Sequence, residues 1–376
     1  MSWIKNFLLL SVSISFCFCL LVIGDWLLTR QINQAIENQI ENSEAEKIIE
    51  TRQKNEDIPQ KAELVSQGFL PVLYPYLIDM DTLDVQFPLI AGLPSAKTYY
   101  CNEGYGLVKY KSDRFGFRNI DTIWDNNPQA IMIGDSFVHG ACVSDEETLP
   151  KKLSNEINSN VLNLGIGSNG PSHYVTYAYL FIPRLKPKTV YLNFYPNDNG
   201  VLEKSIIERR NVELNQQIYA KNALSLIDTS LYFEQGMEII DFLRGNKTVK
   251  KKSFADRVID KLKTHSTFPA IKTLLGLNQD FKQTEHAIIN TLKLCNEFDC
   301  KLIVSFIPNS EFYRPDPRSD NYADAIKHLT SKLGVRFVDG REFLNRKKDS
   351  ADFAIKGPHL SPTGYEKMAK EIGKIK

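Results

Sequence analysis

The heptapeptide GDSFVHG at Gly134–Gly140 carries the residue best suited to nucleophilic chemistry, Ser136. It follows the apolar run AIMIG at Ala130–Gly134, and the carboxyl ends of parallel strands open into the crevice where ligands gather. By itself, a serine just after a strand is an ordinary helix cap. To act as a nucleophile it needs a base within hydrogen-bond reach to take its proton. Of the six histidines, His173, His265, His286 and His328 lie in stretches with helical patterning, and His139 is only three residues past Ser136. His359 is left. It precedes Ser361-Pro362, a capping residue and a proline suited to a first helical turn, and so belongs to the loop entering the last helix.

Attack by a serine on an acyl carbon builds a tetrahedral oxyanion, which needs hydrogen-bond donors arranged in advance. Two turns can supply them. NLGIGSNGP at Asn163–Pro171 contains Gly167, Ser168 and Gly170, any of which could present a backbone N–H; NFYPNDNG at Asn193–Gly200 offers the side-chain amide of Asn197. Asp135 and Asp198, beside Ser136 and Asn197, read as loop-fixing acceptors rather than proton carriers. No Cys/His group has metal-ligand spacing and no glycine-rich turn carries the lysine of a phosphate loop, so neither a metal nor a nucleotide cofactor is expected.

The elements that must position these residues are five near-continuous apolar runs, Ala130–Gly134, Val161–Gly165, Val190–Phe194, Leu302–Ile307 and Val335–Asp339. Such runs fit parallel strands covered on both faces. With crossover helices between them they predict an α/β fold, a three-layer α/β/α sandwich. Residues 65–120 are aromatic and Pro/Gly-punctuated and read as a folded lead-in; residues 200–283 turn helical and charged and read as an insertion over the site. Its basic run at Lys247–Lys252 is a solvated face.

Upstream, residues 7–28 are apolar except for serines and Asp25, enough for one membrane-spanning helix. The expected organisation is a transmembrane signal anchor at 1–30, a solvated helical spacer at 31–64 and a catalytic domain at 65–376, the last lying in the periplasm or outside the cell. Outside the cytoplasm, Cys101 could bridge to Cys142 and Cys295 to Cys300. With 46 Lys+Arg against 45 Asp+Glu, no electrostatic case for nucleic acid arises.

The order of serine, glycine-rich turn, asparagine and late histidine resembles the SGNH (GDSL-like) hydrolase superfamily from Ala130 to the carboxyl terminus, and YKSDRFGFRN with GDSFVHGACV resembles a bacterial envelope-associated branch. The resemblance implies a flavodoxin-like parallel sheet, Ser136 as nucleophile with its own N–H in the oxyanion hole, Asn197 as a further donor and His359 as base. The glycine of the family's second block falls at Ser168, which makes that residue the preferred backbone donor, with Gly167 and Gly170 beside it. The family's usual Asp, two or three residues before the histidine, is replaced by Gly357 and Lys356. The expectation is a Ser–His dyad oriented by a backbone carbonyl, with Asp352 as the alternative acid. The function expected is esterase action on an acyl ester, with an acetylated envelope glycan as substrate. An O-acyltransferase and a catalytically silent glycan-binding module are the alternatives.

Overall fold

The computed structural model describes residues 61–72, 90–167, 169–199, 281–313, 316, 318–347 and 350–375. The apolar segment at 7–28, the spacer up to residue 60, Ser168 and residues 200–280 of the expected insertion lie outside them. Among the described residues no helix is long and apolar enough to cross a membrane.

A short helix, α1 (Lys61–Ser66), crosses from the end of the expected spacer into the lead-in, which forms a small sheet in which β1 (Leu70–Pro71) runs parallel to β2 (Lys97–Tyr99), and β2 antiparallel to β3 (Lys109–Lys111). Its organising group is the buried carboxylate of Asp113. Oδ1 accepts from the backbone N–H of Phe115 and Phe117, and Oδ2 from Trp124 Nε1 and Asn119 Nδ2. Four donors around one buried acid fold the FGF turn onto the aromatic cluster of Phe115, Phe117, Trp124 and Phe181.

The main sheet is fully parallel, with strands β4 (Ala130–Gly134), β5 (Val161–Gly165), β6 (Thr189–Phe194), β7 (Lys301–Phe306) and β8 (Arg336–Asp339) in the order β5-β4-β6-β7-β8. This is the flavodoxin-like order, whose topological switch falls between β4 and β6. Alternation along the strands feeds two cores. Ile131, Ile133, Leu164 and Leu192 pack under α4 (Pro171–Leu185), α5 (Phe281–Glu297) and α6 (Ser319–Leu333). Ala130, Met132, Tyr191 and Ile303 pack under α3 (Leu149–Ile157) and α7 (Pro362–Gly373). Full burial of each large apolar side chain contributes about 1.5–3 kcal/mol, so the continuous apolar runs are what a sheet covered on both faces requires.

At the β5 edge of the sheet, the middle residue of the strand is paired by a side chain. The Asn163 N–H donates to Asn119 Oδ1 at 2.9 Å and Asn119 Nδ2 donates to the Asn163 carbonyl at 2.9 Å, so the amide group pairs with the strand as a neighbouring backbone would. The lead-in is thus sealed to the edge of the sheet.

Candidate active site

β4 passes through Asp135 directly into the one-turn helix α2 (Ser136–His139). Asp135 caps it, its Oδ1 accepting from Phe137 N at 3.0 Å, which is the loop-fixing part expected of it. The helix sits hard on the strand ends. A Cβ on Gly134 would lie 2.5 Å from Val138 Cγ2, and one on Gly165 2.3 Å from His139 N, so both positions require glycine.

Ser136 Oγ lies 3.0 Å from His359 Nε2. The histidine is carried on a hairpin closed by an antiparallel bridge between Phe353 and Leu360, with Ala354 N–H donating to the His359 carbonyl at 2.8 Å. Ser361 then caps α7, accepting from Gly364 N at 3.0 Å, with Pro362 in the first turn. Phe137 lies 4.9 Å from the imidazole, ring centre to ring centre.

The orienting group is neither of those expected. His359 Nδ1 is 2.8 Å from Oε1 of Glu103, and the His359 main-chain N–H donates to Glu103 Oε2 at 3.1 Å. Glu103 is fully buried. A carboxylate therefore replaces the expected backbone carbonyl, and it comes from the lead-in. Asp352 is engaged elsewhere: it accepts from Asn345 N at 2.8 Å and pairs with Lys367 at 2.8 Å, bracing the base of the hairpin.

Glu103 is held on the loop Cys101–Val108, whose neck is closed by Val108 N–H donating to the Cys101 carbonyl. Asn102 Oδ1 accepts from both Gly104 N and Gly106 N, curling the tip, and the Glu103 carbonyl accepts from Lys356 N. Cys101 is disulfide-bonded to Cys142, and Cys295 to Cys300. Arg118 adds a second clamp, donating to the carbonyls of Gly140 and Val143 and to Asp145.

His139 is fully buried and bonded on both ring nitrogens. Because Gly167 N–H is a donor and points at Nδ1 (3.2 Å), the ring proton must reside on Nε2, facing the Tyr110 hydroxyl at 2.9 Å. Burial, reinforced by the positive Arg118, holds this imidazole well below its usual range and hence neutral. The bond also removes Gly167 from the candidate oxyanion donors, since its amide is spent on His139. Gly170 opens α4, its carbonyl accepting from the N–H groups of His173 and Tyr174.

Asn197 lies in the one-turn helix Pro196–Asn199 that follows β6, across the topological switch from Ser136. It is half-buried, and among the described residues its side-chain oxygen has no hydrogen-bond partner. Asp198 fixes this turn, accepting from Tyr195 N at 2.9 Å and from the Tyr174 hydroxyl at 2.8 Å. Among the described residues, one group of side chains has metal-ligand proximity, Glu103, Cys142 and His359. Its sulfur is committed to the disulfide and its imidazole nitrogens face Glu103 and Ser136, so it offers no free ligand set.

No protein-family model and no curated protein matches the sequence. Solved structures do resemble it. The chain is similar to SGNH/GDSL-type hydrolases. A GDSL-like lipase from Bacteroides thetaiotaomicron is 11% identical, with 66% of this chain and 88% of that one covered and a TM-score of 0.36. The Clostridium thermocellum family 3 carbohydrate esterase is 15% identical, with 66% and 94% covered and a TM-score of 0.36. A member of the lipolytic G-D-S-L family from Veillonella parvula is 10% identical, with 65% and 96% covered and a TM-score of 0.35.

Proposed function

We propose that this protein is a serine esterase of the SGNH type with a Ser136–His359–Glu103 triad. The observation that carries the reading is the continuous chain of contacts from Ser136 Oγ through both imidazole nitrogens to a buried carboxylate, 3.0 Å and 2.8 Å long in its two links. A proton on Nδ1 held by Glu103 leaves the Nε2 lone pair facing the serine hydroxyl, the arrangement general-base catalysis needs. The silent-module alternative drew its support from a histidine without an acid, and Glu103 removes that support.

In the reaction, Ser136 Oγ attacks the acyl carbon while its proton passes to Nε2. The tetrahedral intermediate collapses to acyl-Ser136, and the departing alcohol takes that proton. Water then repeats the sequence, releasing the carboxylic acid and restoring the serine. The Ser136 N–H and the Asn197 amide serve the oxyanion, with Ser168 completing the hole. We assign the substrate to O-acetyl esters of an envelope glycan, with residues 7–28 anchoring the chain so that the catalytic domain works outside the cytoplasm.

The test is labelling by a serine-directed fluorophosphonate together with hydrolysis of an activated acetyl ester. Both should be present in the wild-type protein and lost in Ser136→Ala; Ser136-independent labelling or turnover would overturn the reading.

A further inference from the structure

Glu103 reaches His359 from a loop that is covalently tied to the loop bearing the nucleophile. Cys101 is two residues before the acid, and Cys142 six residues after Ser136. The sulfur of Cys142, a Glu103 carboxylate oxygen and an imidazole nitrogen of His359 all lie within 4.8 Å of one another, so the bridge packs directly against the acid–base pair. Cys142 is buried and adopts a left-handed backbone, φ 61°, a conformation unusual for a residue with a side chain. Apart from the bridge, the loop is held by the neck bond from Val108 N–H to the Cys101 carbonyl, by Lys356 N–H on the Glu103 carbonyl and by His359 N–H on its carboxylate, while the tip is curled by Asn102 with Gly104 and Gly106, at φ 112° and 92°. Gly104, next to the acid, and Gly106, three residues past it, give that tip conformational freedom once the covalent constraint is lifted.

We infer that the Cys101–Cys142 disulfide is a positioning element of the catalytic machinery, holding Glu103 on His359, so that turnover is conditional on the bridge. The inference rests on the triad reading above. A dithiol supplies the two electrons and two protons needed. Its thiolate attacks Sγ of the half-buried Cys101, the S–S bond breaks and Cys142 leaves as a thiolate that is then protonated; the second thiol resolves the mixed disulfide, leaving two cysteine thiols and a cyclic disulfide of the reagent. With the bridge open, Glu103 leaves the imidazole and a Ser–His dyad remains.

The experiment compares wild-type protein, Cys101→Ser/Cys142→Ser and Glu103→Gln, each with and without dithiol treatment after folding. In the wild type, reduction should lower kcat by about 10⁴-fold, the size of the loss when a triad acid is removed, with KM nearly unchanged. The serine pair should match reduced wild type. In Glu103→Gln, reduction should change kcat less than threefold, because the acid it would release is already absent. Equal losses in wild type and Glu103→Gln would overturn the inference, as would an unchanged kcat in reduced wild type. The downfield proton resonance of His359 Nδ1–H gives a substrate-free readout: it should be present in the oxidised protein and absent from the reduced protein and from Glu103→Gln. Its persistence after reduction would also overturn the inference. Failure of fluorophosphonate labelling with this resonance intact would instead count against the triad reading itself.

Discussion

A Cβ placed on Gly357 would lie 1.9 Å from the carboxyl carbon of Glu103. Two residues before the histidine, at one of the positions where the SGNH resemblance would put an acid, the chain carries the one residue type that leaves room for an acid arriving from elsewhere. The carboxylate beside the imidazole is attached to the lead-in and not to the hairpin that carries the histidine.

Gly357→Ala should therefore act as an acid-loss variant. The added methyl group displaces Glu103, and kcat should fall at least tenfold with the melting temperature little changed. In a Glu103→Ala background the space opens, and Gly357→Asp should restore at least tenfold of the lost kcat by supplying the carboxylate from the hairpin. Steady-state kinetics of the four proteins would check both statements, and no recovery in the double variant would refute the equivalence of the two attachment points.

Ser136→Ala and His359→Ala should each remove activity as completely as the two together, because the pair acts as one unit. Glu103→Gln keeps the shape but presents an amide to Nδ1, and kcat should drop by about 10⁴-fold. Additive losses across Ser136→Ala and His359→Ala would contradict a shared step.

Acid should weaken the fold through His139. Its folded value lies well below the ordinary 6.5, so between the two the unfolded chain binds the extra proton. The associated stability is complete above about 6.5 and drains away as the pH falls below it. The urea midpoint should fall more between pH 7 and pH 5 in wild type than in His139→Phe. Identical shifts in the two proteins would show that His139 is not the group responsible.

Asp113 works in the opposite sense. Desolvation raises its carboxyl from 3.8 to about 6 despite its four hydrogen-bond donors, so between those values the folded state holds more protons than the unfolded one. Its contribution is greatest below about 3.8 and is lost as the pH rises to about 6. Carbon-13 titration of the aspartate carboxyls should show one group with a midpoint near 6, missing from Asp113→Asn.

The strands were legible because burial on both faces leaves no alternation to interpret: β4 and β5 match the apolar runs residue for residue, and β6 begins one residue early at Thr189. Ser136 was marked by the end of a strand, and His359 by the cap and proline of α7. Glu103 was not legible, because it stands 256 residues from His359 in a loop without periodicity. Two signals pointed to it. Gly357 marks space left for another group, and pairing Cys101 with Cys142 brings position 103 to the nucleophile. The use of Gly167 by His139 was equally hidden, since it depends on the tight seating of α2 on Gly165.

The amide of Asn119 has a wider consequence. An unsatisfied outer strand is an open template for a second molecule, and here a single side chain takes up the backbone groups of its middle residue. A chain begun at residue 121 would keep the sequence of all five parallel strands together with Ser136 and His359, yet would lose the core residues Phe115 and Phe117, expose the Asn163 backbone on β5 and have no acid for its imidazole. Self-association and a crippled centre would arrive together, as two symptoms of the same missing segment.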